Sequence, residues 1–279
     1  MMLKKTILII YLFSLLSVSA VYSKVLAVKD LCLFEKEIQS LDHDSLILFD
    51  IDYTILTPED AALKPCGKGL RKKFLHNLDP QKRARLQSIL GIDGKEELVD
   101  QKSPFLIQNI QARGIPVIAL TALETGTYGK IINMEDWRLN RLKHFGIDFT
   151  VSFQDFNPLY LTELSPYNDH YPLFKNGVLF TNLRPKGEVL TTFLRKIDWK
   201  PTKLLFIDDS LSQIQSVESA AEALGIEFIG FHYTATGNAS CKLNQTLGEF
   251  QFQYLIENEK WLPDKEAIKI FKNTTPSRN

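Results

Sequence analysis

Cysteine is scarce in this sequence of 279 residues: Cys32, Cys66 and Cys241 are too few and too widely spaced for a disulfide framework. None forms a Cys-x-x-Cys pair, which argues against zinc or dithiol chemistry and allows one disulfide with a leftover thiol. His43, His76, His144, His170 and His232 are dispersed, without His-x-x-x-His or His-Glu-x-x-His spacing, so they carry no zinc-hydrolase signature. Gly67-Lys68-Gly69 lacks the rest of a P-loop, and there is no Gly-x-Ser-x-Gly elbow. Net charge is lacking too, since 33 basic residues balance 33 acidic ones. Without a global field, nucleic acid and anionic lipid are not the expected partners, and any anion must be bound locally. Internal repeats and low-complexity tracts are also missing.

What is present can fill a sizeable interior, 44% of the residues being hydrophobic. The chain opens with MMLKK, an apolar stretch TILIIYLFSLLSVSA and small residues, the pattern of an export signal. The expected division is a signal over 1–23 and a single domain over 24–279, with cleavage after Ala20, Ser23 or Ala27 as the alternatives. An uncleaved membrane anchor is the competing reading, because the apolar run is near the lower limit of a span. The expected location is periplasmic or secreted, with no stable membrane association after cleavage.

Asp30 is placed to cap a helix bearing Leu31, Phe34 and Ile38, which leads into the apolar run Ser45 to Phe49. Further short apolar runs occur at PVIAL (116–120), DFTVSF (148–153), KLLFI (203–207) and EFIGFH (227–232), separated by amphipathic stretches. Buried strands alternating with helices predict an α/β fold, a doubly wound, Rossmann-like parallel sheet. The core is expected over 30–57 and 115–235. A small helical cap is expected over 58–114, and a helical extension over 236–279. Phe174 to Phe180 carries an Asn-Gly hairpin signal and reads as a second, smaller excursion.

The chemistry-bearing residues stand at the ends of these runs. Asp50 closes the first strand and is followed by Asp52 and Thr54, where open parallel sheets bind ligands. One carboxylate can attack phosphorus while a second protonates the leaving oxygen and later activates water. A capping turn is the alternative reading of such a pair. Thr121 follows the second strand. Lys186 opens a helix, where the macrodipole disfavours a cation unless it faces an anion; Lys175 competes for that role. Leu204 to Ile207 runs into Asp208-Asp209, a pair costly to bury without a partner. A hard divalent cation, Mg²⁺, relieves that cost. The basic cluster Lys68, Arg71, Lys72, Lys73, Lys82, Arg83 and Arg85 reads chiefly as a solvated face of the cap, with attraction of a multiply phosphorylated substrate as the alternative.

The ordered set Asp50-x-Asp52-x-Thr54, Thr121, Lys186 and Asp208-Asp209 resembles the haloacid dehalogenase superfamily over about Ser45 to His232. The aspartate two after the first is similar to the phosphatase branches. The resemblance implies Asp50 as nucleophile and metal ligand, and Asp52 as general acid and base with its carbonyl on Mg²⁺. It implies Thr121 and Lys186 on the phosphate, Asp208 on Mg²⁺ and Asp209 in support. Gln213 departs from the Asn common in such sequences. The signal, this core and the segment EKWLPDKEA are similar to an exported bacterial branch. The expected activity is hydrolysis of a small phosphomonoester. The alternatives are an interaction protein without turnover and a phosphotransferase using the same site. Receiver domains carry the acidic pair before the phosphorylated aspartate, an order reversed here.

Overall fold

The computed structural model describes residues 22–237 and 241–274, so most of the expected export signal lies outside the described residues. The elements run β1 (Ser23–Val28), α1 (Cys32–Ile38), β2 (Ser45–Phe49), β3 (Leu56–Pro58), α2 (Lys68–Leu75), α3 (Pro80–Asp93), β4 (Glu96–Leu98), α4 (Ser103–Ala112) and β5 (Val117–Thr121). They continue α5 (Met134–His144), β6 (Leu159–Tyr160), β7 (Leu173–Lys175), β8 (Val178–Phe180), α6 (Lys186–Lys196), β9 (Lys203–Asp208), α7 (Leu211–Leu224), β10 (Glu227–Tyr233), α8 (Gln245–Asn258) and α9 (Asp264–Thr274).

The central sheet has the order β1-β10-β9-β2-β5-β8-β7-β6, parallel from β1 to β8 and antiparallel beyond. Alternate residues of the strands feed opposite faces. Ile47, Phe49, Val117, Ala119, Leu205 and Ile207 pack with Phe34 of α1 and Ile107 and Ile110 of α4. Leu46, Leu48, Ile118, Leu120, Leu204 and Phe206 pack with Val189 and Phe193 of α6 and Ile214 and Val217 of α7. Helices thus cover both faces, and the fold is a doubly wound α/β sheet. The chain winds outward from β2 to β5 and β8, then crosses to β9 and β10, so β2 sits where the winding reverses. In open sheets that point places a crevice beyond the carboxyl ends of the strands.

Three expectations change and a fourth is filled out. Residues 148–153 are a turn rather than a strand: the Asp148 carboxylate accepts the Thr150 amide at 2.8 Å and bends the chain, while Phe149 still plugs the core. The place beside β5 belongs instead to β8, in register Ala119 with Val178. The β7–β8 hairpin is therefore part of the sheet and not an excursion.

Second, the core begins at β1, before the expected boundary at 30, because Ser23–Val28 pairs along its whole length with β10. Third, the insertion is shorter than 58–114. The antiparallel ribbon of β3 and β4 closes its base, and α4 packs Leu106, Ile107 and Ile110 into the main core.

Finally, the C-terminal extension, expected simply as helical, packs against the insertion. Leu70, Leu75, Leu86 and Ile89 of α2 and α3 form one cluster with Phe252 and Leu255 of α8 and with Trp261. Two short helices cannot bury their apolar faces alone, and α8 supplies the missing wall. Cys66 and Cys241 are disulfide-bonded across this junction, and Cys32 is free and exposed. The basic residues of the insertion take part: Lys73 pairs with Glu249 at 2.8 Å and Arg85 with Glu259 at 2.6 Å.

Candidate functional site

Asp50 follows β2, Asp208 ends β9, and Lys186 opens α6, which packs under the same edge of the sheet. The Lys186 Nζ donates to Asp50 Oδ1 at 2.5 Å and to Asp208 Oδ2 at 2.6 Å. All three side chains are buried, and Lys186 is 1% exposed. Ligand oxygens of Asp50, Asp208 and Asp209 lie within 4.8 Å of one another. One ammonium thus faces three carboxylates. Burial raises Asp50 to about 6 against the pull of Lys186, with Asp208 adding to the rise. Burial, with Asp50 and Asp208 close by, pushes Asp209 up to about 8. Burial lowers the Lys186 ammonium, but Asp50 and Asp208 outweigh it and hold it above its ordinary value.

The loops beyond the strands are fixed by short hydrogen bonds. The Asp209 amide donates to Thr54 Oγ1 at 3.0 Å, linking the two acidic turns. The Ser210 amide donates to Asp208 Oδ1 at 2.7 Å. His232 Nε2 meets the Asp209 carbonyl at 3.1 Å, an occupation its isolated position in the sequence did not suggest. The Gln213 Oε1 accepts the Lys186 amide at 3.3 Å, so the departure from Asn anchors the start of α6. Thr121 closes β5, the neighbour of β2, and its hydroxyl accepts the Leu123 amide at 3.2 Å. Lys175 is elsewhere, paired with Asp136 at 2.6 Å on the surface.

Asp52 faces a different partner. Its Oδ1 accepts Arg138 Nη2 at 2.7 Å, and Arg138 Nη1 reaches Glu96 Oε1 at 3.0 Å. Arg141 Nε holds the other Glu96 oxygen at 2.8 Å. Arg138 is buried, stacks over Trp137 with its guanidinium 4.6 Å from the ring centre, and leaves its Nε without a hydrogen-bond partner. Although 40% of the Asp52 side chain reaches solvent, partial burial raises the carboxyl above its ordinary value, with Arg138 opposing and Asp50 and Glu96 adding to the rise. Tyr53 turns the loop at φ 65°, and its hydroxyl accepts from Arg71 of α2 at 3.1 Å. Arg138 and Glu96 carry no signal of their own in the sequence, and Arg71 stands out there only as a member of the basic cluster. Arg138 and Arg141 are three apart on one helix face, but nothing along the chain ties them to a glutamate on β4 or to Asp52.

Two buried carboxylates, Asp50 and Asp208, share one ammonium, the half-buried Asp209 stands beside them, and the donors are all hard oxygens. That donor set fits Mg²⁺, with Asp50, Asp208 and Asp209 as the residues to hold it. Asp209 joins this group, while the Asp52 carboxylate turns to Arg138.

Fold and site together define a doubly wound α/β protein with an acidic, lysine-bridged site at the carboxyl edge of its parallel sheet. The chain belongs to the family described as "Protein of unknown function (DUF2608)", whose model matches residues 28–268. Similar proteins include an uncharacterized protein of Rickettsia bellii, 28% identical over 69% of each chain. Another, from Rickettsia felis, is 26% identical over 80% of this chain and 81% of its own. An uncharacterized protein of Rickettsia prowazekii is 32% identical over 66% of this chain and 61% of its own. Among solved structures, a haloacid dehalogenase-like hydrolase from Streptococcus pneumoniae matches with a TM-score of 0.33 and 12% identity. That match covers 66% of this chain and 92% of the other.

Proposed function

We propose that this chain is a Mg²⁺-dependent phosphomonoester hydrolase of the haloacid dehalogenase type, working through an aspartyl-phosphate on Asp50. The observation that carries the reading is the Lys186 ammonium between Asp50 and Asp208, with Asp209 close by, at the end of β2. A metal held by Asp50, Asp208, Asp209 and the Asp52 carbonyl would neutralise a phosphate dianion and let it approach a carboxylate.

The chain's own residues account for the rest. An Asp50 oxygen bonds to phosphorus as the bond to the leaving oxygen breaks, and Asp52 gives that oxygen its proton. Asp52 then takes a proton from water; the water oxygen bonds to phosphorus, and the Asp50 carboxylate is released. Lys186 and Thr121 bind phosphoryl oxygens, and Arg138 holds Asp52 in place. Export to an oxidising compartment belongs to the same proposal. It is supported by the N-terminal sequence and, independently, by the Cys66–Cys241 disulfide.

The test is turnover of a panel of phosphomonoesters by the purified protein with Mg²⁺, with EDTA, and as Asp50→Asn. The expected result is activity that needs the metal and vanishes in Asp50→Asn. Metal-independent hydrolysis surviving that substitution overturns the mechanism. No turnover by a folded, Mg²⁺-binding protein would leave the reading as an interaction protein.

A further inference from the structure

Three bonds near the N-terminus are compatible, by their small or β-branched flanking residues, with removal of an export signal: those after Ala20, Ser23 and Ala27. The structure separates them by what each would take away. The Phe228 amide donates to the carbonyl of Tyr22 at 3.0 Å, so the ladder between β1 and β10 already begins at Tyr22. From Ser23 with Phe228 to Val28 with Tyr233, each residue of β1 has a partner on β10.

The side chains are engaged as well. The Ser23 hydroxyl donates to Glu218 Oε1 of α7 at 2.5 Å, and Lys24 Nζ pairs with Glu37 of α1 at 2.7 Å. Val25 packs on one face of the sheet and Leu26 on the other. Cutting after Ala27 would delete most of the strand, leaving β10 with an unpaired edge of backbone groups and both apolar clusters uncovered. Cutting after Ser23 would remove the Tyr22 carbonyl and the Ser23 contact with Glu218. It would also put a charged amine on Lys24, inside the ladder.

We infer that the signal is removed between Ala20 and Val21, so that the mature chain starts at Val21, one residue before the hydrogen bonding of β1 begins. The mature protein then carries β1 whole, and the signal is 1–20 rather than 1–23. This inference rests on the export part of the proposed function and not on the phosphatase part. The N-terminus can be read whether or not the protein turns over a substrate.

The experiment is to produce the full 279-residue chain in a bacterium that exports it, recover the soluble extracytoplasmic protein, and determine its N-terminus by intact mass and N-terminal sequencing. A single start at Val21 is expected. Two variants sharpen the outcome: Ala20→Leu should accumulate as the membrane-associated precursor, and Ala27→Leu, at an exposed position of β1, should be processed like the native chain. A start at Lys24 or Val28, a signal retained in the native chain, or normal processing of Ala20→Leu overturns the inference.

Discussion

Lys186 is the counter-charge that makes its surroundings tolerable, since Asp50 and Asp208 are buried against it at 2.5 and 2.6 Å. Lys186→Met should therefore abolish the turnover proposed for this site and, without metal, cost about 3–5 kcal/mol, the usual penalty for removing one member of a buried ion pair. Added Mg²⁺ should restore more thermal stability to this variant than to the native protein, which melting curves with and without the ion will show. Glu96 gives a pH-dependent counterpart. Burial alone would raise its carboxyl, but Arg138 and Arg141 outweigh burial and bring it below its ordinary 4.5. A carboxylate whose folded-state pKa is depressed contributes fully above the unfolded value and loses its contribution as pH falls through the folded one. The stability advantage of the native protein over Glu96→Gln, about 2 kcal/mol near pH 7, should thus shrink as urea titrations move below pH 4.5. Asp50, Lys186 and Asp208 were legible because each ends or opens an apolar element where a charge needs a reason. Arg138 was not legible, because an arginine in MEDWRLNRLKH looks like any exposed helix residue until the fold buries it.

At the scale of elements, β2, β5, β9 and β10 were readable because strands buried on both faces are continuous apolar runs. DFTVSF has the same composition yet forms a turn, since composition does not say whether Asp148 bonds its own backbone before a neighbour can pair with it. The Asn-Gly signal located the β7–β8 hairpin, but local turn chemistry does not say which sheet a hairpin joins. That turn has both central residues left-handed, Asn176 at φ 50° and Gly177 at φ 74°. A Cβ on Gly177 would lie 1.9 Å from the Phe149 carbonyl oxygen, so strain and collision act together. Gly177→Ala should lose at least about 2 kcal/mol in urea unfolding, whereas Gly114→Ala, where a Cβ meets nothing within 4 Å, should lose less.

Across the whole molecule, the insertion and the C-terminal helices are one unit, joined through the Asp60 carboxylate. That group accepts the Trp261 indole N–H at 2.8 Å and the Asp264 amide at 2.8 Å. The Cys66–Cys241 bond spans 175 residues of chain and locks the same junction. Cys66→Ser should destabilise the protein by about 4 kcal/mol, read as a fall in Tm that the native protein reproduces under reducing agent. Neither association was visible in the sequence, since both depend on which distant segments the fold brings together.

The pairing of β1 with β10 has a kinetic meaning. Ser23 meets Glu218, 195 residues later, so the sheet cannot close at this edge until nearly the whole chain has been synthesised. Contacts that distant close slowly because the intervening loop must be ordered first. A nascent chain whose β1 must wait for β10 keeps this edge of the sheet open, and itself pliable, until its C-terminal part has left the ribosome.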